Sequence, residues 1–113
     1  MIKNITKKTT LSRKTKHCNN IFSKGFGLMF SKKTNKALIF DFKKEKIISL
    51  HMLFVFYPID VLFLDKDKKV VDIKQNLKPF RFYTPKKKAR YVVELLNGAV
   101  KSSRTTVGDA IQF

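Results

Sequence analysis

The chain has 113 residues, enough for a single core and too few for a catalytic domain beside a regulatory one. Its 25 Lys and Arg against 8 Asp and Glu leave a net charge of +17, which predicts non-specific attraction to polyanions such as nucleic acid or anionic lipid, and its apolar content is ordinary for a globular protein. A single Cys excludes an intramolecular disulfide framework and makes the reducing cytosol the simplest setting, so a cytoplasmic protein is expected.

From Met1 to Lys36 there are ten basic residues and no acidic one. Like charges at this density repel and solvate, so residues 1–20 are expected to form a basic arm or a first edge strand, and 21–113 a β-rich domain. The N-terminus is positive, but no uninterrupted apolar segment of signal-peptide length follows it, so secretion is not expected. His17-Cys18 invites a reading as an activated thiol. Neighbouring residues in a chain seldom point the right way, and no second Cys or carboxylate stands close to orient the pair. Two further ligands at zinc spacing are also missing, so no metal site is expected. In Ile21 to Phe30, Gly25 and Gly27 flank Phe26 and predict a close turn before an apolar segment. Neither the dinucleotide pattern nor the lysine-bearing phosphate loop is present, and no cofactor is expected.

Ala37 to Phe40, with Phe42, reads as a strand. The densest apolar stretch follows, Ile47 to Leu64. Its length would suit a membrane-spanning helix. His51 and Asp60 argue against that, since an Asp near the bilayer centre costs roughly 2.5 to 3.5 kcal/mol, and Tyr57-Pro58 bends the run into two pieces of strand length. An integral membrane protein is therefore not expected. Asp65 to Lys69 is a charged turn leading into Val70 to Ile73, a hairpin signal in which the Asp side chains bond their own backbone. A calcium loop would need more oxygen ligands and a glycine at its sharp turn.

Between Leu77 and Arg90, two prolines bound an extended segment in which Phe80, Phe82 and Tyr83 interleave with Lys78, Arg81, Lys86, Lys87, Lys88 and Arg90. Rings beside cations are what a single-stranded nucleic-acid surface uses. Aromatics at alternate positions are also what the inner face of a strand looks like. Tyr91 to Leu96 is a further strand closed by Asn97-Gly98, Ala99 to Thr106 is expected as one or two helical turns or a basic loop, and Gly108-Asp109 turns into a last short strand. Six or seven short strands with turns every eight to twelve residues or so indicate a β-sandwich or small barrel.

With these pieces laid out, the chain resembles the family known as domain of unknown function 192. The matching segments are Gly27 to Phe30, His51-Met52 leading to Phe56 through Asp65, Ala89 to Leu95 with Gly98, and Gly108-Asp109. The resemblance implies a compact, mostly β single domain, a jelly-roll-like sandwich or barrel with minor helix, and it implies no activity. The chain carries His51 where members commonly have an aromatic residue, and a basic segment where many have a secretion signal.

The polar residues that match the family are His51, Asp60, Glu94 and Asp109, with Met29 and Met52 beside them. Three functions are compatible with this set. The first is a non-enzymatic binding module for a small ligand or protein partner, with a pocket lined by Met29, His51, Met52 and Asp60. The second is a nucleic-acid-binding accessory protein using the basic N-terminal arm and the basic residues from Lys78 to Arg90. The third is an enzyme in which Asp60 orients His51 as an acid–base pair, which requires both on neighbouring strands with side chains on one face. The alternative for these two residues is structural: a satisfied core histidine, and a carboxylate anchoring a loop through backbone hydrogen bonds.

Overall fold

The structure is a computed structural model and describes residues 1–18, 36–51, 57–79 and 81–113. These hold β1 (Ile2–Asn4), β2 (Thr9–Ser12), β3 (Thr15–Cys18), β4 (Ala37–Lys46), β5 (Leu50–His51), β6 (Ile59–Leu64), β7 (Val70–Leu77), β8 (Phe82–Tyr83), β9 (Ala89–Leu96), α1 (Ala99–Ser103) and β10 (Ile111–Gln112). A five-stranded sheet of order β3-β4-β9-β6-β7 is flanked by a three-stranded sheet, β10-β1-β2, and a two-stranded one, β5-β8. Strands β3 and β4 run parallel and the other pairs antiparallel. The protein is thus the mostly β, sandwich-like single domain with minor helix that the strand pattern predicts.

Strand β6 explains why the sequence concentrates apolar residues where it does. All six of its residues are buried, because the sheet is covered on both faces. Ile59, Val61 and Phe63 join Phe40, Ile48, Leu77 and Val92 on one face, where Tyr83 of β8 packs on Phe63 with ring centroids 5.7 Å apart. Leu62 and Leu64 join Ile39, Val93 and Leu95 on the other, against Ile2, Leu11, Val100 and Ile111 of the small sheet and helix. A strand buried on both faces reads as a continuous apolar run, which is what IDVLFL is.

The hairpin after β6 closes as its charges predict. Asp65 Oδ1 accepts from the N–H groups of Asp67 (2.9 Å) and Lys69 (3.0 Å), and Lys68 takes a positive φ of 61°. Strand β7 continues to Leu77, past the Ile73 that marks the apolar end of the segment, because it is an edge strand and its polar residues can face solvent. Of the two pieces expected from the Ile47 to Leu64 run, β6 is the second, while Leu50–His51 of the first forms β5 and 52–56 lie outside the described residues. The turn expected at Gly25 and Gly27 lies outside them as well.

Residues of the basic N-terminal segment supply β1, β2 and β3, with β1 between β10 and β2. Ile2 and Asn4 point inward and are fully buried while Lys3 between them is exposed, the alternation of a strand covering a core. Asn4 ties this strand to the chain's last turn. Its Nδ2 donates to Thr105 Oγ1 (3.0 Å) and Asp109 Oδ2 (2.9 Å), and its Oδ1 accepts from the Lys7 N–H (2.9 Å). Asp109 Oδ2 also accepts from Lys7 Nζ (2.8 Å) and the Thr106 N–H (2.9 Å).

Burial pushes the Asp109 carboxyl up, but the hydrogen bonds from Asn4, Lys7 and Thr106, with the Lys7 charge, outweigh it and hold the group at about 2. A carboxyl depressed below its ordinary 3.8 contributes stability that is present above that value and lost as pH falls through the folded one. The loss on acidifying from pH 5 to pH 2 is expected to be about 1 kcal/mol from this group, less than the full depression implies because the Lys7 side is open to solvent. Urea unfolding of wild type and Asp109→Asn at both pH values checks it: the variant should be weaker at pH 5, and the gap should narrow at pH 2.

Candidate functional site

Glu94 lies in the middle of the fold and in the wrong surroundings for a charge. On β9 it pairs with Leu38 of β4 on one side and Val61 of β6 on the other, so its same-face neighbours across both strands are aliphatic. Its residue is 4% exposed. Among the described residues, Glu94 Oε2 and Thr15 Oγ1 are the buried side-chain polar atoms without a hydrogen-bond partner. With little to solvate the anion, burial pushes the Glu94 carboxyl up to about 8. Tyr57 nearby is pushed up to about 12 by its own burial and by the Glu94 charge.

Three clefts converge on this end of the sheet, where β9 finishes and β4 and β6 begin. A void of about 10 Å³ bounded by Lys36, Tyr57, Ile59, Glu94, Leu95 and Leu96 has room for about one water. Next to it, sharing Tyr57 and Leu96, is a cleft of about 300 Å³ whose described walls are Tyr57, Pro58, Leu96 and Asn97. A third, of about 360 Å³, lies on the other side of Leu96 and Asn97 and reaches Leu11, Gly98 and Ser102. Leu96, 42% exposed, is the apolar surface common to all three. Among the described residues the chemistry on offer is a buried carboxyl that can accept and, when protonated, donate a hydrogen bond, set behind an aromatic and aliphatic wall with a carboxamide.

Of the pocket set expected from the sequence, Asp60 is the member whose side chain the structure describes. Asp60, 1% exposed, is on β6 with its side chain on the opposite face from Glu94, as its pairing with Leu95 requires. Its Oδ1 accepts from the Asn76 N–H (2.9 Å), and its Oδ2 from those of Gly98 (3.0 Å) and Val100 (3.1 Å). It thereby fixes the left-handed Gly98, φ 96°, that starts α1. Strand β5, which carries His51, pairs with β8, whereas β6 pairs with β7 and β9, so His51 and Asp60 are not on neighbouring strands. Asp60 lines none of the three clefts, and Met29 and Met52 lie outside the described residues. No cluster of three His, Cys, Asp or Glu among the described residues is placed to hold a metal ion.

The basic set divides. Lys78, Arg81, Lys86, Lys87 and Lys88 are exposed, as is Phe82 in the same segment, at 67%. Arg90 is committed to the fold: its Nε and Nη2 donate to the two carboxylate oxygens of Asp41 at 2.9 and 3.1 Å, a fork that holds the Asp41 carboxyl below its ordinary range. Tyr83 faces inward and donates to Asp72 Oδ2 at 2.8 Å. Sequence reasoning noticed Glu94 as a polar residue matching the family but did not assemble it with Lys36, Tyr57, Leu96 and Asn97. The available signal was a carboxylate inside the apolar run Tyr91 to Leu96.

Among the described residues no helix is long and apolar enough to cross a membrane. A UPF0127 protein of Pyrococcus furiosus is 38% identical over 97% of this chain and 95% of its own length. One of Thermococcus sibiricus is 36% identical over all of this chain and 74% of its own. The crystal structure of a protein of unknown function from Novosphingobium aromaticivorans superposes with a TM-score of 0.76 over 88% of this chain and 74% of that one, at 19% identity, a likeness of fold. The model of the family DUF192, described as an uncharacterized ACR, matches residues 2–113. On this match and on relatives of such identity, the chain belongs to the DUF192 (UPF0127) family.

Proposed function

We propose that the protein is a non-enzymatic, cytoplasmic binding module that takes a small ligand at the end of the five-stranded sheet, against Tyr57, Glu94, Leu96 and Asn97. The observation that carries this reading is the buried Glu94 oxygen without a partner, on a residue that bounds a void beside a larger cleft. Leaving a buried acceptor unpaired costs about 1 to 3 kcal/mol, whereas an aliphatic side chain in the same place would be stabilising. A ligand group that bonds Glu94 recovers that cost. The cleft volume lies at the low end of the small-molecule range.

A second reading rests on a different observation, the exposed Phe82 in a segment that also carries the exposed Lys78, Arg81, Lys86, Lys87 and Lys88. It makes this face a surface for single-stranded nucleic acid, with the base stacked on the ring. One experiment separates the two: amide-resolved NMR with a fragment library and with a single-stranded RNA over a salt series. Fragments that move Tyr57, Leu96 and Asn97, and lose that effect in Tyr57→Ala, support the cleft. RNA that moves the Phe82 region at near-physiological salt and fails to in Lys86→Gln/Lys87→Gln/Lys88→Gln, with no fragment at the cleft, would replace it.

A further inference from the structure

We infer that the group seated against Glu94 is a hydroxyl of a neutral polyhydroxylated ligand, a saccharide, whose ring lies over Tyr57, Pro58 and Leu96. The inference rests on the cleft reading above and adds the chemistry of the ligand. Size is the first argument. The void that Glu94 bounds is about 10 Å³ among the described residues, which suits a group no larger than a water. A hydroxyl fits, and a carboxylate, a phosphate or a substituted ammonium does not. Charge is the second. A Glu94 carboxyl that burial keeps protonated gives a cationic group no counter-charge, and such a group must approach a protein of net charge +17 through a void that Lys36 also lines.

Hydrogen-bond matching is the third argument. A hydroxyl both donates and accepts, so it pairs with the Glu94 carboxyl in either protonation state, whereas an ammonium pairs only with the anion. Among the described residues the cleft beyond the void has an aromatic ring, a proline, a leucine and a carboxamide as its lining, the last being Asn97, whose Nδ2 donates to Asn76 Oδ1 at 3.3 Å. An apolar platform with a few polar groups at its edges suits a ring that has C–H faces and a periphery of hydroxyls.

The test is NMR titration of the full chain with glucose, trehalose and maltose, with putrescine and butanamide as the cationic and amide comparisons. At least one saccharide is expected to move the amides of Tyr57, Leu96 and Asn97. Glu94→Gln, which keeps an acceptor and a donor, should bind it within a few-fold of wild type, and Glu94→Leu should lose about tenfold or more, the effect of one buried hydrogen bond. Retention of the native amide spectrum shows that each variant is folded, and Gln removes the buried charge without changing shape. Binding of putrescine, or of butanamide, without any saccharide would overturn the saccharide assignment and leave the cleft reading intact. If neither these compounds nor any fragment moves the three amides, both readings fall.

Discussion

Asp60→Ala is expected to destabilise the protein by about 3 to 5 kcal/mol, among the largest effects of any single polar substitution in this chain. The reason is the number of donors that one carboxylate satisfies. The N–H groups of Asn76, Gly98 and Val100 converge on its two oxygens, and they belong to the end of β7 and the start of α1, so the side chain pins two elements to β6. Truncation leaves these donors facing a cavity in a region where Asp60 itself is 1% exposed. Asp60→Asn should cost less, about 2 kcal/mol, since one acceptor oxygen remains while the new amide hydrogens confront backbone donors. Urea unfolding at pH 7 measures both, and hydrogen exchange should show Gly98 and Val100 opening earliest. A loss below about 1 kcal/mol for the Ala variant would mean that water replaces the carboxylate and that Asp60 anchors nothing.

Glu94→Gln is expected to do the reverse, by an amount that grows as pH rises from about 5 to about 8. The folded carboxyl titrates at about 8, raised from an ordinary 4.5 by burial. The native state therefore holds its proton more tightly than the unfolded chain does. The associated stability is fully present below about 4.5 and is lost as pH rises through about 8. A tenfold difference in proton affinity between the folded and unfolded chain corresponds to about 1.4 kcal/mol. Allowing for relaxation around the anion, the wild type should lose about 2 to 4 kcal/mol between pH 5 and pH 9 from this group. Gln has the same shape and no proton to lose, so the variant should match the wild type at pH 5 and exceed it by that amount at pH 9. Thermal unfolding across this range checks the claim. Parallel pH profiles for the two proteins would show that Glu94 is solvated or paired in the folded state.

The residues that the sequence makes legible are those whose role is local. β6 is visible because burial on both faces requires an unbroken apolar run, and the hairpin after it because Asp65 bonds N–H groups two and four residues on. The turn at Asn97-Gly98 is visible for the same reason. What depends on distant partners is not. Asp60 looks like half of an acid–base pair with His51 until β5 is found to pair with β8, and its true donors lie 16, 38 and 40 residues away.

Arg90 counts with the basic residues around it until Asp41, 49 residues upstream, takes both of its donors. Ile2 and Asn4 are hidden among lysines because a three-residue strand is too short to show a period. The candidate site shares this non-locality: Tyr57, Glu94, Leu96 and Asn97 meet because three strands begin or end together, an arrangement set by the strand order of the sheet.

The most direct test is to follow the Glu94 side-chain carboxyl carbon by NMR against pH in the wild-type protein. A midpoint near 8 is predicted, the behaviour of a buried carboxyl whose oxygen lacks a donor. A midpoint at the ordinary 4.5 would mean that solvent or an unrecognised donor already satisfies it, and the reason for placing a ligand at the end of this sheet would be gone.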